Sequence, residues 1–115
     1  MARAPESLVG LSIEWTGVHH SRDGDFTDIS THVVTYDTES RCHVTAGGRL
    51  VGEADYTYCR FDDRMGVVIY RPAIYQGRND VVLHAMFDFA EMTDRAVLTA
   101  GGEPFAVADG RMRLV

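Results

Sequence analysis

The chain has 115 residues, 45% of them hydrophobic, with a formal net charge of −6 and a pI of about 5.2. That balance suits one globular domain and lacks the clustered positive charge that nucleic acid or an anionic membrane surface demands. No run approaches the ~20 apolar residues of a membrane span. The N-terminus has no signal-peptide core, and two cysteines are few for a disulfide scaffold, so a reducing, cytoplasmic setting is expected. All 11 basic residues are Arg, which excludes lysyl Schiff-base and lysyl general-base chemistry.

The first predicted strand covers residues 8–18, where Leu11, Ile13 and Trp15 alternate with Ser12, Glu14 and Thr16. Residues before Ser7 read as a flexible lead. Residues 19–28 are polar and contain the turn pair Asp23-Gly24. Strands are predicted next at 29–36 and 41–46. A two- or four-residue loop between them puts Ile29, Thr31 and Val33 on the face of Cys42, Val44 and Ala46. His32, Val34 and Tyr36 then join Arg41, His43 and Thr45 on the other. The first face reads as core.

Further strands are predicted at 53–61, 66–71, 80–89, 95–100, 105–108 and 111–115, with residues 72–80 a polar loop and 90–94 a helical turn or loop. Eight or nine strands with connections mostly under ten residues favour antiparallel neighbours, because parallel ones need a crossover of a dozen or more. A small antiparallel up-and-down β-barrel ranks above a sandwich, since closure removes exposed sheet edges.

Within 53–61, Tyr56, Tyr58 and Arg60 share one strand face. Two phenols and a guanidinium in a row offer hydroxyl and bidentate contacts to a carboxylate or polar aromatic ligand. The competing reading exposes that face and makes Thr57, Cys59 and Phe61 the core. His84 and Asp88 share a face four residues apart, ~13 Å along a strand. That excludes a direct couple and leaves each as a separate candidate for catalytic proton transfer. His32 and His43 are near-opposite on their hairpin, but no further ligands at zinc spacing accompany them. Gly-x-Ser-x-Gly, dinucleotide and phosphate-loop patterns are absent, so no metal or cofactor is expected.

The segment Gly66-Val-Val-Ile-Tyr70-Arg-Pro72, a polar loop, Asp80-Val-Val-Leu83 and Phe87-Asp-Phe89 resembles the molybdenum cofactor biosynthesis protein F (MoaF-like) family of lipocalin-like, calycin-type barrels. Leu8-Val-Gly10 and Asp23-Gly24 match the first strand and turn of that family. Phenolic acid decarboxylases have a similar middle but carry a Tyr pair on the first strand, where this chain has Ile13, Glu14 and Trp15. The resemblance implies a lipocalin-like barrel with an internal ligand cavity, and transfers no catalytic residue.

The expectation is a single small-molecule-binding barrel over residues 1–115, with chemistry, where it has any, that needs only acid–base work and no cofactor. Tyr56, Tyr58 and Arg60 would orient a small aromatic or acidic metabolite, Trp15 and Tyr70 would line the cavity, and His84 or Asp88 would move protons. The alternative is a non-catalytic carrier, sensor or assembly subunit with a packed barrel. A homodimer is expected somewhat more than a monomer, because residues 80–89 are apolar on both faces.

Overall fold

The structure, a computed structural model, describes residues 3–21, 29–75 and 77–115. Its strands are β1 Ser12–Ser21, β2 Ser30–Tyr36, β3 Arg41–Ala46, β4 Arg49–Arg60, β5 Met65–Pro72, β6 Val81–Asp88, β7 Thr93–Ala100 and β8 Glu103–Leu114. Each pairs antiparallel with the next, and β8 pairs with β1, so the sheet closes into an eight-stranded barrel in sequential order. No helix occurs among the described residues, and none is long and apolar enough to cross a membrane. The predicted Asp23-Gly24 turn lies outside the described residues.

Alternation decides which side chains face inward. Ile13, Trp15, Val34, Tyr36, Cys42, Ala54, Tyr56, Val68, Ala85, Phe87, Leu98, Ala106, Ala108 and Met112 are buried inside the barrel. Three expectations need correction. The residues before Ser7 are not a loose lead. Ala4 and Leu8 are buried, and the Ala4 N–H donates to the Asp63 carbonyl at 2.8 Å. The two segments predicted at 105–108 and 111–115 are one continuous strand, β8.

The third correction concerns the face of β2. Val34 opposes Val44 and Tyr36 opposes Cys42, so His32, Val34 and Tyr36 point inward with Cys42, Val44 and Ala46. Ile29, read as core, is 75% exposed. The cause is an odd loop. Asp37 bonds back to Arg41, and the Thr38 hydroxyl accepts the N–H groups of Ser40 at 3.2 Å and Arg41 at 3.0 Å. Between Asp37 and Arg41 that leaves three tip residues rather than two or four, and an odd count inverts the facing of one strand against the other.

The two ends of the barrel differ. At one end the N-terminal segment lies across the opening. There Leu8, Phe89 and Met112 are buried, the Tyr58 hydroxyl donates to the Pro5 carbonyl at 2.6 Å, and Arg60 Nε donates to the Ala4 carbonyl at 3.0 Å. The other end carries the Gly47-Gly48 and Gly101-Gly102 turns and the β5–β6 connection. It holds a cavity.

Candidate functional site

The cavity at the open end has a volume of about 440 Å³, within the usual range for small-molecule pockets. Its walls include His19, His32, Cys42, Tyr70, Tyr75 and Leu83, contributed by β1, β2, β3, β5, β6 and the β5–β6 connection. The surface is mainly apolar with a few polar groups converging on it.

Beneath the two imidazoles lies Trp15. Its ring stacks on His32 at a centroid distance of 5.0 Å and meets His19 tilted at 5.2 Å. The indole also donates from Nε1 to the Asp94 carbonyl at 3.1 Å. It fits because β1 and β8 carry glycine where it crosses them. A Cβ on Gly110 would lie 2.3 Å from Trp15 Cε2, and one on Gly17 would lie 2.7 Å from Cζ2. Burial lowers the basicity of both histidines, helped at His19 by the charge of His20 and at His32 by that of His19.

Deeper in the lumen the Tyr36 and Tyr70 hydroxyls hydrogen-bond each other. Burial pushes both phenols well above their ordinary range, and Asp94 adds to the rise in each case. Asp94 shares the inward parity of Ala96, Leu98 and Ala100 on β7. Its carboxyl is pushed up to about 8 by loss of water alone. It keeps some accessible surface. Burial likewise raises the Cys42 thiol to about 11.

The structure disperses the residues nominated from sequence. Tyr70 lines the cavity and Trp15 underlies it. Tyr56, Tyr58 and Arg60 share the inward side of β4, while Phe61, the alternative core residue, is 74% exposed. Their polar atoms serve the closed end, however. Tyr56 donates to the Thr38 carbonyl at 2.5 Å, Tyr58 to Pro5, and Arg60 to Ala4 and to Asp63 at 2.5 Å. His84 is exposed on the outer surface beside Thr99 Oγ1, 3.1 Å away. His43 bonds Asp37 Oδ2 at 2.7 Å on the outer side, so it does not approach His32.

Asp88 also faces away from the lumen. Its carboxylate takes Arg64 through Nε and Nη2 at 2.7–2.9 Å and accepts the Ala90 and Glu91 N–H groups at 3.0 Å each. The Arg64 guanidinium, reinforced by those N–H groups, holds the carboxyl down at about 2. Its role is to pin the β6–β7 turn. Asp88→Ala should therefore lower the melting temperature at neutral pH. A depressed folded pKa gives stability that is present above the ordinary value of 3.8 and fades as pH falls through about 2. The deficit should shrink in acid, and thermal melts of both proteins across that range test it.

Sequence reasoning missed Asp94, His19 and Tyr36 as site residues. Carrying the inward parity of Leu98 and Ala96 back two places reaches Asp94, the only sequence signal for it.

No family model and no curated protein matches this chain. A crystal structure described as that of "a putative beta-lactamase from Burkholderia vietnamiensis" is similar over 100% of both chains, with 24% identity and a TM-score of 0.63. At that identity the likeness shows the fold, a closed antiparallel barrel of eight strands.

Proposed function

We propose that the barrel binds a small, flat, largely apolar molecule at its open end, above Trp15 and against Tyr70. The observation that carries this reading is the cavity of about 440 Å³, whose mainly apolar walls include two imidazoles and two phenols. Buried pockets with a few oriented polar groups are the usual form of a small-molecule site. The buried titratable groups below it add a second reading, a cofactor-independent enzyme doing acid–base chemistry, because acids displaced from their ordinary pKa cluster where protons are moved. Any such proton transfer falls to Asp94 and the tyrosines, since His84 and Asp88 face outward. A MoaF-like affiliation belongs to the same proposal and rests on the Gly66–Pro72 and Asp80–Leu83 segments. The name of the similar structure adds beta-lactams to the compounds to be tried.

Trp15 is the sole tryptophan and sits directly under the cavity, so its emission reports occupancy. Titration with substituted benzenes, small cyclic ketones and beta-lactams should give saturable quenching by at least one class. Val44→Phe, which fills the cavity from β3, should weaken that binding roughly tenfold or more, equivalent to about 1.4 kcal/mol, while the barrel still melts cooperatively. Quenching by no class, or equal affinity in Val44→Phe, would count against the reading.

A further inference from the structure

We propose that the outer face of β5–β8 is the interface of a homodimer, in which two copies meet about a two-fold axis that crosses the strands near Val97. This is independent of the cavity, which opens at the end of the barrel.

The wall of the barrel is unevenly clad. Among the described residues, most exposed large apolar side chains, such as Leu50, Phe61 and Ile74, lie at or near strand ends or in connections. Met86, Val97 and Val107 are different. They stand within β6, β7 and β8, each 40–46% exposed, and half-buried Val67, Ile69 and Val82 flank them. The outer side of β3 and β4 is charged instead, with Arg41 bridging to Glu53 at 3.4 Å and to Asp55 at 2.9 Å. A sheet face that meets only water is polar, and a contiguous apolar one marks a surface that is covered.

The relief of this face fits a second copy of itself. Register aligns Ile69, His84, Val97 and Val107 as one ridge across the strands, and Val67, Met86, Arg95 and Asp109 as the next. Between the ridges runs a groove of about 490 Å³, floored by the row Ala85, Ala96 and Ala108. Ridge and groove lie side by side, which makes the face self-complementary, as an isologous contact requires. An axis parallel to the ridges sets the Val97 ridge of each copy into the groove of the other. An axis parallel to the strands would stack ridge on ridge.

Charge and area favour the same occupant. The chain carries −6, so two copies repel wherever that excess is exposed. In the two ridges the acidic and basic charges cancel, because Arg95 Nε donates to Asp109 Oδ1 at 2.9 Å. Four strands ~4.8 Å apart, taken over eight residues at ~3.3 Å, cover roughly 500 Å² in projection. Two such faces reach the roughly 1,000 Å² in total that a specific interface needs.

Sedimentation equilibrium of the full chain tests this. The wild type should have about twice its monomer mass of 12.8 kDa. Val97→Glu and Val107→Glu each bring like charges together across the axis, and each should weaken the dimer roughly hundredfold or more. Both side chains point to solvent in the monomer, so the barrel should still melt cooperatively, and either variant suffices if the other does not fold. Leu50→Glu, an equally exposed apolar position off this face, should leave the mass unchanged. A wild type of monomer mass overturns the proposal, and one that sediments with phosphatidylcholine vesicles gives the face to a lipid surface instead. A dimer that survives both glutamate variants, or assemblies larger than two, overturns this interface and its symmetry.

Discussion

Replacing Asp94 with Asn should stabilise the barrel, with a gain that grows as pH rises from about 4 toward 8. The folded carboxyl titrates at about 8 and the ordinary value is 3.8. Between those limits the unfolded chain has lost a proton that the folded chain keeps. Folding must then take up a proton, and stability falls as pH rises. Below 3.8 both states hold the proton and the penalty vanishes. Each pH unit in the window is worth at most about 1.4 kcal/mol, and water in the lumen reduces that. At neutral pH the cost is on the order of 2–4 kcal/mol, a sizeable part of the roughly 5–15 kcal/mol of a small domain. Asn keeps the shape and can accept from a phenol, yet has no proton to gain. His19 and His32 also titrate across this range, but in both proteins alike, so the difference between the two melting curves isolates Asp94. Melts from about pH 5 to 9 should diverge steadily. Parallel curves would mean that the carboxylate is ionised and solvated in the fold.

Gly110→Ala should be among the most damaging single-methyl changes available. The new Cβ would fall 2.3 Å from two atoms of the Trp15 indole, closer than any real contact. The ring cannot slide away cheaply, because Nε1 is bonded to the Asp94 carbonyl and the imidazoles of His19 and His32 rest on it. Overpacking of this kind costs about 3 kcal/mol, a fall in melting temperature of roughly 10 °C for a domain of this size. Trp15 emission should shift as its environment opens. The same glycine change made together with Trp15→Leu should cost far less, because the obstacle is gone, and that non-additivity is the signature of a direct contact. Equal costs in the two backgrounds would show that the indole is not what the glycine accommodates.

That glycine also shows where sequence reading reaches its limit. Strand after strand was legible from period-two patterning and from Gly and Asp turns, and the short sequential connections pointed to a closed antiparallel barrel. The predicted strands stop at 108 and resume at 111, which divides β8 in two at Asp109-Gly110. Its glycine answers instead to Trp15, 95 positions earlier in the chain, a demand no local pattern carries. The facing of β2 failed for a related reason. Apolar content favoured Ile29 and Val33, and only the Thr38 hydroxyl bonds reveal an odd loop that turns Tyr36 and His32 inward. Asp94 was hidden because an acidic residue after Met92 and Thr93 reads as turn, while closure of the barrel commits it to the interior. Tyr56, Tyr58 and Arg60 were legible as one inward row. Their fate was not, since it depends on where residues 4 and 5 cross the far end.

That crossing makes the molecule a blind tube. With Pro5 and Ala4 anchored over one end, arrival and departure share one gate among the described residues, and two molecules cannot pass each other inside. A competitor added from outside can only wait for the resident to leave. Exchange rates should then be independent of competitor concentration, and residence time should be governed by the rim around His19, His32 and Tyr75 rather than by the polar groups below.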